Sequence, residues 1–594
     1  MRYALGMRGR DVAGWSVVAA ASVVFFALST RWLSFYAWGI DEGMYLMRAR
    51  MMADGYALYR DIWFNQPPLL VLAVRKSFDI HGESIQAARL VPLLLATLGL
   101  AATAAIARAL GGWRAAFTSA AILVLSPLYF SLSRAVMATL PALSLAMVSM
   151  AFIVGYRWAT LAGRRGRLGR WGRVVAWEFA ALSGLAFGLG LTIKLIALPW
   201  LLPLALIALD GHVDAAGWRA PRSWPWRRIA ADALLWAAAM AVPVVIVLRA
   251  YGPAALFAQA VGSLVTAREA SGFDIAGNVA KLLEAVSEGQ LGVVALGVFG
   301  VAVGLAGGIG GGPHPPTPSS KFGGGGGRVA GDGGGGEAQG GVDPSDNDYR
   351  AVGAKHAWHA SPKPPANESA WDEPSAIEPP ANAPAAAPGR LWRIVALWLA
   401  VGLAAVLLHA PIWSHHYILL VYPLAAAAGC GLIAVVDAVR NSTAAGWRAF
   451  AWCVAGAAIL SLPVQAVRLA DSTRAWDDAA GEAIARLGEV ARPGDTVITD
   501  SPMIAFRAGL RVPPDMCDPG KKRIDSGALT VDDVLADIDR FQPSAVLFWE
   551  GRLSRGPFGG FPARLEAAGY VRAAVLDARE ERWLYVPQGR AARP

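Results

Sequence analysis

Apolar segments long enough to cross a lipid bilayer recur along most of this 594-residue chain. A membrane-spanning helix needs about 20 predominantly apolar residues, because the hydrocarbon core of a bilayer is about 30 Å thick. Only 16% of the residues are charged, against roughly a quarter in an ordinary soluble domain. The sequence therefore predicts an α-helical polytopic membrane protein with about eleven spans. These spans are Ala13–Leu33, Ala87–Ala107, Trp113–Leu132, Val136–Tyr156, Ala176–Leu191, Ile196–Ala208, Ala230–Leu248, Leu291–Ile309, Leu391–Leu408, Tyr417–Val439 and Ala449–Val467. The fifth and sixth are short and flank Lys194, so a single re-entrant pair is an alternative for them.

The arginines between the spans predict which side of the membrane each loop faces. Cytoplasmic loops carry an excess of Lys and Arg, and the short loops alternate between arginine-rich and arginine-poor. This alternation predicts a multi-pass protein of the plasma (inner) membrane with a cytoplasmic N-terminus and an extracytoplasmic C-terminal tail. Because the loops account for the net charge of +10, we expect no nucleic-acid partner. The arginines on the predicted inner side are Arg2, Arg8, Arg10, Arg108, Arg114, Arg157, Arg164, Arg165, Arg167, Arg170, Arg173, Arg219, Arg222, Arg227, Arg228, Arg440 and Arg448.

Two long segments differ from the spans in composition. Residues 310–389 are rich in Gly, Pro and Ala, and such a segment cannot bury enough apolar surface to fold. It is predicted to be a disordered cytoplasmic insert between a transmembrane catalytic region (1–309) and the last transmembrane helices (390–468). Helix-like and strand-like stretches alternate in residues 469–594, which predicts a small extracytoplasmic α/β domain.

The first outer loop, residues 34–86, opens with the adjacent acids Asp41 and Glu42 in "YAWGIDEGMYL". A carboxylate beside the bilayer is costly unless it faces a cavity or a partner. Partial burial raises the pKa of a carboxylate, which suits a general base that takes a proton from a hydroxyl. The residues alone leave a second interpretation open, since acids also stabilise helix N-termini.

Several cations and histidines fall on the same predicted outer face. They suit a substrate that carries a phosphate close to a reactive hydroxyl. Taken singly, however, each arginine is better explained as an interfacial anchor than as a ligand, and Lys194 alone could extend to the headgroups. Two adjacent histidines match no zinc-binding spacing, so no metal site is predicted. These residues are Lys194, Arg134, Arg249 and the segment His415, His416 and Tyr417.

The order of these features resembles the GT-C fold glycosyltransferases, and most of all the superfamily of protein O-mannosyltransferases and lipid A aminoarabinose transferases. "GIDEGMYLMRARMMADGYALYRDIWFNQPPL" resembles that family's first outer loop, "SLSRAVMATLPAL" its second, and "HHYILLVYPLAAAAG" the start of a late span. The tail "DTVITDSPMIAFRAGLRVPP" resembles the extracytoplasmic domain of bacterial members. The resemblance covers nearly the whole chain apart from the insert.

The resemblance implies a glycosyltransferase that moves a sugar from a polyprenyl-monophosphate carrier on the outer face. The acceptor would be a lipid, a glycan or a protein, and neither a nucleotide nor another cofactor would be required. Asp41 would be the base and Glu42 would support it. Lys194, His415, His416, Tyr417 and Arg249 would bind the carrier phosphate or lipid, and Tyr59, Asp61, Gln66 and Arg134 would contact substrate.

The chain departs from the family pattern at two positions. Some relatives have Lys-Pro-Pro in the first loop, where this chain has Gln66-Pro67-Pro68, and many carry an acid near the position of Thr139. The second departure weakens a metal-dependent mechanism. Two other function classes remain: a transporter or flippase of lipid-linked sugars, and a membrane scaffold that presents the tail. Transporters often show internal repeats, and we find none.

Overall fold

The computed structural model describes residues 9–34, 39–164, 166, 168, 171–213, 220–262, 265–266, 274–309, 388–409, 412–473, 478–577 and 581–590. The predicted insert, apart from its last two residues, lies outside this part of the chain. So do Arg2, Arg8, Arg165, Arg167, Arg170 and Arg219.

Ten helices in the described residues are long and apolar enough to cross a membrane. The chain is therefore an integral membrane protein, as predicted. The helices before the insert are α1 (Gly9–Ser29), α2 (Gly39–Ala53), α3 (Leu69–His81), α4 (Ile85–Leu125), α5 (Pro127–Leu132), α6 (Thr139–Arg164), α7 (Trp171–Leu191), α8 (Leu201–His212), α9 (Trp226–Tyr251), Pro253–Leu256, Ile275–Ala285 and Leu291–Ile309. The helices after it are Pro388–Leu407, Ile418–Asn441 and Ala445–Asp471, followed in the tail by Asp478–Val490, Pro502–Arg507, Lys521–Asp525, Val531–Phe541 and Phe561–Ala567.

Helix α4 contains one predicted span, Ala87–Ala107, and most of the next, Trp113–Leu132, which ends in α5. Its helical geometry is interrupted at Gly111 and Gly112, and Gly112 has a φ of +78°, which glycine adopts readily because it lacks a Cβ. Beyond this break the Tyr129 hydroxyl donates to the carbonyl of Ala96, 33 residues earlier, over 2.7 Å. A straight helix would separate these residues by about 50 Å, so the chain reverses at the glycine pair. Counting the two arms separately turns the ten helices into eleven spans among the described residues, in agreement with the sequence.

The two short predicted spans on either side of Lys194 both cross the helix bundle. Lys194 contacts Thr139 at the N-terminal end of α6. Sixteen positions later, at the far end of α8, Asp210 pairs with Arg157 near the C-terminal end of α6 over 2.7 Å. The segment Leu195–His212 thus runs along most of α6, which excludes a re-entrant pair.

The tail contains a four-stranded mixed sheet in the order β1-β2-β4-β3. Strands β1 (Val497–Thr499) and β2 (Ala545–Phe548) are parallel, while β4 (Arg582–Pro587) pairs antiparallel with β2 and with β3 (Tyr570–Asp577). One hydrophobic core joins this sheet to the first outer loop, because buried residues of α2 and α3 belong to the same cluster as β1 and β2. The tail is therefore packed directly onto the loop that carries the acidic pair.

Candidate active site

A cavity of about 150 Å³ lies at the N-terminal end of α2, between the membrane helices and the tail. We call it the Asp41 cavity. It brings together residues that are far apart in the sequence, including five of the predicted site residues. Its described lining is Asp41, Met44, Tyr45, Arg48, Trp63, Asn65, Gln66, Met137, Ala138, Thr139, Lys194, Trp413, His415, His416, Asp518, Gly520, Lys521, Lys522, Arg523 and Arg552.

Asp41 reaches the cavity from the first turn of α2. The helix starts at Gly39, so both acids lie inside its first turn, where a carboxylate is stabilised by the helix dipole. A Cβ on Gly43 would come within 2.3 Å of the Met503 backbone nitrogen. Glycine at this position therefore allows the tail helix Pro502–Arg507 to pack tightly against α2, beside the carboxylate.

Glu42 does not line the cavity, so the support predicted for Asp41 would come from outside the cavity. Its carboxylate accepts hydrogen bonds from Arg89 Nε at 2.7 Å, from Arg89 Nη2 at 2.6 Å and from the Val136 backbone N–H at 3.0 Å. Both side chains of the ion pair are almost completely buried, at 0% and 1% exposure. Glu42 therefore anchors α2 to α4 and to the loop before α6. It is a positioning residue for Asp41.

Lys194 lies in the short connection between α7 and the next span and points into the Asp41 cavity. Its ammonium nitrogen lies 2.8 Å from Thr139 Oγ1 and 3.4 Å from His416 Nε2. The Trp413 backbone N–H donates to His416 Nδ1 over 3.3 Å. His415 and His416 are both buried, and their rings meet edge to face. The late-span motif and Lys194 thus form one polar wall of the cavity.

The tail supplies cations that sequence reasoning missed. Lys522 and Arg552 line the cavity, and neither forms an ion pair with another described residue. By contrast, Arg48 pairs with Asp518 and Arg523 pairs with Asp515. Lys194, Lys522 and Arg552 therefore bring positive charge that no carboxylate in direct contact balances.

The loop that presents Arg552 is fixed by Asp500 at the end of β1. This fully buried carboxylate accepts hydrogen bonds from the backbone N–H groups of Trp549 at 2.8 Å, Glu550 at 3.1 Å and Arg552 at 2.9 Å. Ligands of open α/β sheets bind beyond the carboxyl ends of parallel strands. The positions of Asp500 after β1 and Arg552 after β2 were the sequence signal that could have revealed this contribution.

Besides Glu42, five predicted site residues lie outside the cavity lining. The Tyr59 hydroxyl donates to the Gln66 carbonyl over 2.6 Å, so Tyr59 supports a lining residue from behind. Asp61 pairs with Arg60 at the protein surface, and Arg134 is buried with its guanidinium on the carbonyls of Phe130 and Ser472. The remaining two are Arg249, exposed in the last turn of α9, and Tyr417, buried next to His416.

The electrostatics of the cavity suit a base next to an anion site. Burial raises the pKa of the Asp41 carboxyl, an effect that Arg552, Lys194 and Lys522 oppose. Burial, and next the Lys522 charge, lower the pKa of Lys194 to about 7, although Asp41 acts in the opposite direction. A bound phosphate would add negative charge beside Lys194 and favour its protonated form. Among the described residues no group of three or more His, Cys, Asp or Glu side chains is placed to hold a metal ion.

Comparisons with known proteins identify the fold. No family model matches the chain, and no curated protein matches it. Two crystal structures of ArnT from Cupriavidus metallidurans are similar over 98% of this chain. The apo structure has a TM-score of 0.55 at 14% sequence identity, with all of that chain covered, and the structure bound to undecaprenyl phosphate has 0.53 at 15%, with 99% covered.

This likeness shows that the chain has the fold of ArnT, a GT-C fold glycosyltransferase. The predicted fold class, a GT-C-like helical membrane protein with a small C-terminal sheet region, is thereby confirmed. The oligosaccharyltransferase AglB from Archaeoglobus fulgidus, in complex with an inhibitory peptide and a dolichol-phosphate, has a TM-score of 0.48 at 11% identity over 92% of this chain and 71% of its own. A TM-score of this size does not establish a shared fold.

Proposed function

We propose that this protein is a membrane glycosyltransferase that takes its sugar from a polyprenyl-monophosphate carrier on the extracytoplasmic face. The observation that carries the proposal is the composition of the Asp41 cavity. The Asp41 carboxylate has no direct ion-pair partner among the described residues. It shares the cavity with three cations that also lack one, Lys194, Lys522 and Arg552. The ArnT fold supports the proposal, and one of the two ArnT structures holds undecaprenyl phosphate.

In the proposed reaction Asp41 accepts the proton of an acceptor hydroxyl. The hydroxyl oxygen forms a bond to the anomeric carbon of the sugar while the bond from that carbon to the phosphate oxygen breaks. The electron pair of the broken bond remains on the phosphate, which leaves as polyprenyl phosphate. Attack opposite the leaving group inverts the anomeric configuration.

The cations act on the leaving group. A phosphodiester carries one negative charge, and the departing phosphate gains a second. Lys194, Lys522 and Arg552 are already in place to stabilise this added charge, and fixed cations in a water-poor site are effective because they need no reorganisation during the reaction. Thr139 and His416 hold the Lys194 amine toward the cavity.

Asp41 has a carboxylate suited to the role of base. Burial raises its pKa, which increases its proton affinity toward that of a working general base, while the charges of Arg552, Lys194 and Lys522 favour the carboxylate form. Acceptors with a hydroxyl, whether lipid, glycan or protein, fit this chemistry. A metal-independent reaction remains our prediction.

The test uses purified full-length protein in lipid with a panel of radiolabelled polyprenyl-phosphate sugars and membrane extract as acceptor. Release of polyprenyl phosphate from one donor, abolished by Asp41→Asn, is the expected result and names the sugar. Asp61→Asn is the matched control, because Asp61 belongs to the same loop but pairs with Arg60 at the surface. Equal loss in both variants would refute Asp41 as the base. No release from any donor would favour the transporter or scaffold alternatives.

A further inference from the structure

A second cavity, of about 590 Å³, opens at the opposite end of the helix bundle. We call it the arginine cavity. Helix α6 contributes Thr139 to the Asp41 cavity and Gly163 to this one. Gly163 follows Thr139 by 24 positions, which corresponds to roughly 36 Å along the helix axis. That length exceeds the hydrocarbon thickness of about 30 Å, so the two cavities lie at opposite faces of the membrane.

Positive charge dominates the described lining of the arginine cavity. Its ionisable residues are four arginines, one aspartate and one histidine: Arg164, Arg173, Arg227, Arg228, Asp232 and His212. Arg173, Arg227 and Arg228 are exposed and form no ion pair with another described residue. Arg164 donates to the His212 carbonyl over 2.7 Å. Arg173, Arg227 and Arg228 therefore bring positive charge to the cavity that no described carboxylate contacts directly.

Asp232 forms no ion pair with these arginines, because its carboxylate already contacts three other side chains. The Tyr156 hydroxyl donates to Asp232 Oδ2 at 2.6 Å, Trp177 Nε1 donates to Oδ1 at 2.8 Å, and His212 Nε2 lies 3.2 Å from Oδ2. A carboxylate held by three partners is a structural element. The cavity lining thus combines this hydrogen-bonded carboxylate with four arginines.

The position of this cavity within the membrane indicates the kind of ligand. Arg164 ends the span of α6, Arg173 lies in the first turn of α7, and Arg227 and Arg228 lie in the first turn of α9. These are helix ends, where lipid headgroups meet the protein. Trp177 and Trp224 line the same cavity, and tryptophan favours the interface between headgroups and acyl chains.

We propose that the arginine cavity binds the phosphodiester headgroup of an anionic membrane lipid. Basic pockets between membrane helices on the cytoplasmic side suit such headgroups, and the arginine distribution predicts that this end is cytoplasmic. The volume lies within the range of small-molecule sites, about 300–1,000 Å³. The competing explanation is that these arginines act only as topology signals, in which case any arginine at this end is equivalent.

The test compares three double variants of the full-length protein in phosphatidylcholine nanodiscs. Binding of added phosphatidylglycerol is measured by native mass spectrometry for the native protein, R227Q/R228Q, R227K/R228K and R440Q/R448Q. Arg440 and Arg448 are also exposed at the cytoplasmic end of their spans but do not line the cavity. We expect R227Q/R228Q to weaken binding roughly 10- to 30-fold, R440Q/R448Q to weaken it less than about threefold, and R227K/R228K to retain most of it. Equal losses in the two Gln variants, or no loss in either, would overturn the proposal.

A second measurement does not depend on variant folding. Photoactivatable phosphatidylglycerol is cross-linked to the native protein, and the labelled peptides are mapped. Labelling concentrated around Trp177 and Trp224 supports the site, and labelling spread evenly over the bundle contradicts it. Inorganic phosphate at millimolar concentration should leave the labelling unchanged, since a free anion lacks the acyl chains. Displacement by phosphate would mean that the cavity takes a free anion instead of a lipid.

Discussion

Both cavities of the helix bundle are lined by several cations, but the carboxylates in them differ in their direct contacts. At the Asp41 cavity the carboxylate forms no ion pair with another described residue and shares the cavity with Lys194, Lys522 and Arg552. At the arginine cavity the carboxylate of Asp232 is held by Tyr156, Trp177 and His212. An available carboxylate beside cations can move a proton during phosphate departure. A carboxylate that already contacts three side chains, such as Asp232, instead stabilises the packing of the helices that carry them.

The same contrast separates the two adjacent acids of the first loop. Asp41 faces the cavity, whereas Glu42, one position along, is buried against Arg89. Neighbouring residues of a helix point about 100° apart, since 3.6 residues complete a turn. Adjacent acids in a sequence therefore have no reason to share a function. We therefore expect variants of the Asp41 cavity to lose sugar transfer and variants of Asp232 to lose thermal stability.

After Asp41→Asn, the largest effect should follow Lys194→Met, which removes a cation from the leaving-group side. We expect transfer to fall by about 10²- to 10³-fold, the usual result of removing one group that stabilises developing charge, with little change in thermal stability. The measurement is polyprenyl phosphate release in single turnover. Lys521→Met is the matched control, because Lys521 lines the same cavity but pairs with Asp525. If Lys194→Met reduced transfer no more than Lys521→Met, the leaving-group assignment would be wrong.

Asp232→Asn should show the opposite behaviour. It removes charge from a carboxylate that holds three neighbours, so we expect a loss of about 1–3 kcal/mol in stability. The measurement is thermal unfolding of the purified protein in detergent. Asp41→Asn should change this stability much less, because the Asp41 carboxylate forms no hydrogen bond with another described residue. A greater loss of stability in Asp41→Asn than in Asp232→Asn would reverse the comparison.

Donor binding should weaken as the pH rises above about 7. The pKa of Lys194 in the empty cavity is about 7, and the negatively charged donor prefers its protonated form. Affinity should thus be flat below pH 7 and fall by up to about tenfold per pH unit above it. The donor is a phosphodiester and does not titrate in this range. Binding measured between pH 6 and 9 checks this, and Lys194→Arg should flatten the curve because arginine stays charged. A flat curve for the native protein would contradict it.

Thr139→Val should have the smallest effect. It removes the hydroxyl that lies 2.8 Å from the Lys194 ammonium, and a typical hydrogen bond contributes about 0.5–1.5 kcal/mol. We therefore expect transfer to fall about 2- to 13-fold, with the Lys194→Met defect remaining larger. Thr139→Ser, which keeps the hydroxyl, should retain most of the activity. If Thr139→Val abolished transfer, Thr139 would have a role beyond holding Lys194.

The spans and the location of the cavity were predictable because they depend on local properties of the sequence. Apolar length predicted the eleven crossings, and Gly111-Gly112 marks the reversal within α4. The predicted residues Asp41, Gln66, Lys194, His415 and His416 all line one cavity. Four of them lie near a span end on the same predicted face and Gln66 lies in the first outer loop, so topology placed all five on one side of the membrane.

The contributions of Glu42, Lys522 and Arg552 were not predictable in this way. Glu42 acquired its structural role from Arg89, 47 positions later, and nothing local indicates that pairing. Lys522 and Arg552 reach the cavity because the tail packs on α2 and α3 through one shared core. An α/β segment can be recognised from its periodicity, but the surface on which it docks depends on long-range packing.

The central claim is that Asp41 acts in the chemical step and not in binding the donor. The direct measurement follows one labelled donor through both steps with Asp41→Asn protein in lipid, first its equilibrium binding and then single-turnover release of polyprenyl phosphate. The account predicts that the donor binds within about threefold of the native affinity while release falls by about 10²- to 10⁴-fold, the usual range for a general base. Release at the native rate from the bound donor would contradict it.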